Sequence, residues 1–197
     1  MLSHYPEQAH LHAALKTYFA DNGFAPDGGY TDDWVRIKIG PIPFLLPNTS
    51  ARKRAVRHHD LHHIATGYAT TFAGEAEIGA WEVASDCRDN LAAWMLNLLA
   101  MSQGLIFHPH KVYQAFIRGR HTQNTYALKY DEVLLERTVG ELRAELGLDA
   151  PLLPASQADK LAFARWAGLA LVIGALGVVV YLTPPVIALA AAWRWLR

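Results

Sequence analysis

The chain is short of cysteine and has no excess of charge. Cys87 is the only cysteine, so there is neither a disulfide framework nor a cysteine-based zinc site to expect. A reducing, cytoplasmic-side location fits that usage. Lys and Arg together number 18, as do Asp and Glu, and a formal charge of zero suggests neither nucleic acid nor an acidic partner. Met1 to His10 lack a basic region followed by an apolar run, which argues against a secretory signal, and they lack the arginines of a mitochondrial presequence. There is no internal repeat and no low-complexity tract. Apolar residues, by contrast, make up 52% of 197 residues, enough for one compact domain plus an appendage.

Most of the chain reads as helix. Leu11, Ala14, Leu15, Tyr18 and Phe19 recur at helical spacing, predicting an amphipathic helix over Pro6 to Asp21. Asp27-Gly28-Gly29 is a turn signal. Val35 to Ile39 alternates apolar and basic residues, the pattern of a short strand or extended segment. Pro41, Pro43 and Pro47 keep Phe44-Leu45-Leu46 from being helical; a packed loop is expected there, with a lip over a cavity as the other reading. Asn48, Thr49 and Ser50 are candidate caps for a helix ending near Gly67. A long helix from Gly74 to Gly104 follows, apolar enough to be central. Pro109 opens another helix, and a last one runs from Leu134 to Leu146 with Gly147 as its stop.

Leu148 to Ser156 carries two prolines, and a linker is expected over 151–165. From Trp166 to Trp193 no residue is charged, which exceeds the roughly 20 residues needed to cross a bilayer core. Trp166, Tyr181, Trp193 and Trp195 suit an interfacial aromatic belt. Thr183-Pro184-Pro185 interrupts the run, so a single span, a hairpin with both ends cytoplasmic and a buried helix pair all stay open. The expectation is an all-α, bundle-like domain over residues 1–150 with a membrane anchor over 166–197.

Four of the ten histidines fall in Arg57-His58-His59-Asp60-Leu61-His62-His63. In a helix, His59 and His63 share a face, with Asp60 about 60° away. Two imidazoles and a carboxylate on one arc are the donors a borderline divalent metal takes. Val56, Asp60, Ile64 and Gly67 mark the apolar side, which His59 and His63 border. His58 and His62 are then expected to face solvent or to support the ligands. The plain alternative is a solvated, basic helix surface continuing Arg52, Lys53 and Arg54, which could also meet anionic lipid heads.

Eleven residues separate His63 from Glu75. This HDxxH, eleven residues, E arrangement resembles the signature of the coenzyme Q biosynthesis protein 4 family. Thr66-Gly67-Tyr68, Gly74-Glu75 and Glu141 to Gly147 are compatible with it, and the resemblance spans most of residues 5–150. It implies an all-helical fold and a divalent metal, usually zinc, on His59, Asp60, His63 and Glu75. It further implies a place in ubiquinone biosynthesis, on membranes and beside other enzymes of that pathway. Two roles follow from it: oxidative decarboxylation at ring carbon one of a prenylated hydroxybenzoate, or lipid-binding scaffolding without catalysis. The apolar run after Trp166 departs from the family pattern.

Two imidazoles and two carboxylates suit zinc, iron or manganese alike. Glu82, two helical turns after Glu75, is a candidate to orient a ligand histidine, with a surface carboxylate as the alternative. Adjacent His59-Asp60 also fits a metal-dependent hydrolase of the HD type, which would press His12 and Asp86 into service. A zinc protease would need glutamate where Asp60 stands.

Overall fold

The computed structural model describes residues 5–39 and 42–195; the side chains of 36–39, 42–44, 46, 182 and 184–195 lie outside the described set, as does Pro41. Among the described residues the chain is all-α apart from one hairpin. In order come α1 (Leu11–Asp21), β1 (Trp34–Ile39), β2 (Ile42–Pro47), α2 (Ser50–Thr66), α3 (Phe72–Ala84), α4 (Leu91–Phe107), α5 (Pro109–Arg120), a 3-10 turn (Thr125–Ala127), α6 (Glu132–Leu135), α7 (Val139–Glu145) and α8 (Gln157–Trp195).

α2 is the element the others surround. Thr49 caps its start, its hydroxyl accepting from the Arg52 amide. Gly67 ends it in the left-handed region at φ 79°, where glycine carries no penalty. Its last seven residues, from Asp60 to Thr66, are all buried. Arg118 of α5 and Arg143 of α7 donate to the carbonyls of Thr66 and Ala65, at 3.0 and 2.7 Å. Two cations thus satisfy the open C-terminal end of the histidine helix. Arg143 belongs to the Glu141–Gly147 stretch singled out in the sequence.

α3, α4 and α5 pack closely because glycines let their backbones approach. A Cβ on Gly104 would lie 2.4 Å from Ala76 and 2.5 Å from Val112, and one on Gly119 would lie 2.4 Å from the Trp81 carbonyl. Trp81 fills the space among them, fully buried. α8 lies along α4, with Trp166 stacked on Trp94 at 4.9 Å and 11° and Ala170 buried.

The structure corrects five sequence expectations about elements. The long helix from Gly74 to Gly104 is two: it breaks between Ala84 and Leu91, where Asp86 and Arg88 take positive φ and Asn90 caps α4. The helix over Leu134–Leu146 is also two, because Thr138 and Glu141 form a capping box that starts α7 afresh. Phe44-Leu45-Leu46 is not a loop but strand, paired with β1 from Trp34↔Pro47 to Ile39↔Ile42. Both strands of a two-stranded ribbon are edges, where alternate amides need no strand partner and proline is tolerated. The first helix begins at Leu11, not Pro6. The linker is shorter than 151–165: α8 starts at Gln157, with the Asp159 amide donating to Ser156 Oγ and Ser156 donating back to Asp159.

α8 runs 39 residues as one helix through Thr183-Pro184-Pro185, not as a hairpin. Thr183 Oγ1 donates to the Val179 carbonyl at 2.7 Å, four residues back along the helix. Its stretch Gln157–Tyr181 is long and apolar enough to cross a membrane and is scarcely buried by the rest of the chain, consistent with membrane association. The side chains of Trp193 and Trp195, expected in the aromatic belt, lie outside the described set.

Candidate metal centre

Three side chains converge at the meeting of α2 and α3. His59 Nε2 and His63 Nε2 are 3.1 Å apart. Glu75 Oε2 lies 3.3 Å from His59 Nε2, and Oε1 lies 3.4 Å from His63 Nε2. Around a tetrahedral ion with bonds of roughly 2.0–2.1 Å, ligand atoms stand about 3.3 Å apart. His59, His63 and Glu75 thus form a group that could hold a metal ion.

Both rings are oriented from behind. His63 Nδ1–H donates to the Tyr68 carbonyl at 2.8 Å, and His59 Nδ1–H donates to Glu82 Oε1 at 2.7 Å. With each Nδ1 so engaged, each Nε2 is turned into the cluster, the arrangement carboxylates and carbonyls impose on metal-binding histidines. Gly74 permits the placement of Glu75. A Cβ there would stand 1.9 Å from the Ala69 carbonyl oxygen, so only glycine lets the connection fold onto the first turn of α3.

Glu82 anchors the arrangement. It is fully buried, which overturns the surface-carboxylate alternative. Its Oε1 also accepts from His62 Nδ1–H at 2.8 Å, and its Oε2 accepts from the Asn97 amide and the Tyr126 hydroxyl. One carboxylate thereby joins α2, α3, α4 and the 3-10 turn. Burial alone would raise its pKa; His59 and His62 outweigh that and hold it well below the usual carboxylate range. Burial alone would strip the proton from His59, but Glu82 and Glu75 push its pKa well above the usual value. Glu75 is likewise lowered: burial opposes ionisation, and the His63 and His59 rings outweigh it. A protonated His59 ring would donate one N–H to Glu82 and turn the other toward Glu75.

His58 and His62 do not face solvent. His62 is completely buried and its Nε2 accepts from the Thr125 amide at 3.0 Å. With its Nδ1–H on Glu82, it is neutral, and burial, first, lowers its pKa. His58 is buried with Nδ1 2.9 Å from Thr125 Oγ1. The second half of α2 has no outer face because helices and the 3-10 turn enclose it.

Asp60, expected as a ligand, is not brought into the cluster. Its carboxylate accepts from the hydroxyls of Tyr18, at 3.3 Å, and Tyr30, at 2.5 Å. Burial, first, raises its pKa and raises those of both tyrosines. Tyr18 also stacks on His63, centroids 5.6 Å apart, so Asp60 braces the site through tyrosine. His12 and Asp86, which a hydrolase of the HD type would recruit, are exposed and outside the cluster.

The sequence reading missed Asn97, Thr125, Tyr126, Tyr18 and Tyr30. Asn97 had a signal, a lone amide in the charge-free stretch from Leu91 to Leu99. The others come from distant parts of the chain and carried none. The group is two histidines and one carboxylate, a combination of donors found in catalytic zinc sites and in non-haem iron sites. Compared with protein-family models, with curated proteins and with solved structures, the chain matches none. What the fold and the cluster define is a class: a helical protein with, among the described residues, one helix long and apolar enough to cross a membrane and one group that could hold a metal ion.

Proposed function

We propose that this chain is a membrane-anchored metal protein of prenyl-quinone metabolism, acting on the ring head of a prenylated hydroxybenzoate by oxidative decarboxylation at ring carbon one. The observation that carries the metal reading is the convergence of His59 Nε2, His63 Nε2 and Glu75 with both Nδ1 atoms tied back. The substrate class rests on the HDxxH, eleven residues, E arrangement and on α8, since a polyprenyl tail keeps its substrate in the membrane. Carbon dioxide leaves and a hydroxyl takes its place on the ring, a two-electron oxidation for which dioxygen would be the oxidant. A bound divalent metal would supply Lewis acidity toward the ring carboxylate, with zinc the first expectation and iron, better suited to dioxygen, or manganese fitting the same ligands. Glu82 holds His59, Tyr18 packs on His63, and Glu75, its side chain 40% exposed, leaves the cluster open on one side. On this reading the helical body works at the cytoplasmic face of a bacterial inner membrane, beside other enzymes of the same pathway.

One observation favours the scaffold reading. A cleft of about 530 Å³ lies away from the triad, between Lys53, Arg57, His58, Tyr126 and Tyr130. Elemental analysis of the detergent-purified chain beside His63→Ala tests the metal; about one equivalent in the parent and none in the variant is expected. Carbon dioxide release from a prenylated hydroxybenzoate then separates the roles. Turnover lost in Glu75→Gln, with partners still bound, supports the enzyme; no turnover in the metal-loaded parent leaves the scaffold.

A further inference from the structure

One end of the helical body carries three exposed large apolar side chains side by side. α3 and α4 run antiparallel, Glu82 meeting Asn97 at one end and Phe72 meeting Phe107 at the other, ring centroids 5.7 Å apart. α5 starts at that second end, where Lys111 reaches Glu77 and Val112 lies against Gly104. There Phe72 is 48% exposed, Ile106 66% and Phe107 64%.

α8 leaves the body at the same end. It runs parallel to α4: Trp166 is on Trp94, and Gly174 packs so closely on Ser102 that a Cβ would come 2.5 Å from its hydroxyl. Phe107 is therefore roughly level with Val178 to Val180, all three well exposed. The charge-free run from Trp166 to Trp193 is about 42 Å of helix, some 12 Å longer than a bilayer core. Its first part is the part held against α4. If the core begins near Gly174, the level of Phe107 is about 5–8 Å inside that boundary, the depth of an interfacial apolar anchor.

We propose that this end of the body, presenting Phe72, Ile106 and Phe107, seats in the lipid interface of the bilayer that α8 enters. The inference rests on the membrane reading of α8. Bilayer, not a second copy, is the occupant because the patch is continuous with the exposed apolar face of α8, and because Lys111 and His110, exposed beside it, suit lipid phosphates. The consequence reaches the triad. Phe72 and Glu75 stand three residues apart in the first turn of α3, neighbours on one face. The open side of the cluster then lies at the membrane surface. Its substrate is an amphiphile that presents a polar head to Glu75 from the lipid side, not a solute arriving from water.

Nitroxide labels on the full chain in phosphatidylcholine–phosphatidylglycerol vesicles test this, because buried Cys87 leaves an introduced cysteine as the accessible thiol. Ile106→Cys reports the patch, Val178→Cys the anchor, and Val133→Cys, 73% exposed on α6, the aqueous body. The expected result is that labels at 106 and 178 relax with oxygen in preference to a nickel chelate, and that the label at 133 does the reverse. A label at 106 that behaves like 133 while 178 is in lipid overturns the docking and leaves the anchor. A label at 106 shielded from both reagents means another protein covers the patch, which also overturns it. A nickel-accessible 178 removes the anchor itself, and the docking with it, without touching the metal triad.

Discussion

Glu82 carries more of this protein than its isolated place in the sequence suggests. Four donors meet one buried carboxylate, and removing one partner from such a network leaves the rest desolvated and unpaired. Glu82→Gln keeps the shape but turns an amide N–H toward a group that also donates. The expected loss is about 3 kcal/mol of folding stability, read from urea midpoints, and a fall in metal affinity of roughly 10- to 100-fold, read by metal titration. An unchanged affinity would mean that His59 is oriented without it. At the ligands themselves, Glu75→Gln should abolish metal uptake with little loss of stability, since Glu75 is partly exposed where Glu82 is buried.

Elements are held by close approaches and by caps, and both can be tested. Gly104 sits where α3, α4 and α5 come closest, so Gly104→Val should destabilise by about 1–3 kcal/mol or more through overpacking, seen as a lowered thermal midpoint. The start of α8 depends on Asp159, which Ser156, Arg120 and His121 surround. Its pKa falls from 3.8 to about 2, first through the Ser156 hydrogen bond. The unfolded group takes its proton near 3.8 and the folded one only near 2, so the contribution is whole above 3.8 and is lost as pH falls through 2. Hydrogen exchange at 157–161 should quicken across that window, and Asp159→Asn should show the quickened exchange already at pH 7.

At the scale of the molecule, α8 joins the helical body to its surroundings. Its first half is part of the packing, through Trp166, Phe163 and Ala170; its outer face from Leu169 to Val180 is largely exposed and apolar. Such a surface needs cover. The expected outcome is that the chain stays with bilayer vesicles through an alkaline carbonate wash; release into the wash would remove the membrane from this picture. Trp166→Ala should weaken the join between α8 and α4 without releasing the chain from vesicles, because the charge-free run remains.

The sequence by itself determined what depends on neighbours along the chain. The cap at Thr49, the stop at Gly67, the helical spacing of His59 and His63, Pro109 at a helix start and the uncharged run after Trp166 all act within a turn or two. The tertiary structure decided what depends on contacts between distant segments. His62 and His58 turned inward because Thr125, more than sixty residues on, waits for both. Asp60 left the ligand group because Tyr18 and Tyr30 approach it from the other side. The break after Ala84 rests on Asp86 and Arg88 at positive φ, without the glycine that normally marks it, and its local signal, the Asn90 cap, lay inside an apolar periodicity that runs on through both helices. Glu82 was a carboxylate in an apolar stretch, and only the packing of α2, α3 and α4 made it the buried centre. Local spacing chose the chemistry of the site, and long-range packing chose which of its residues could reach one another.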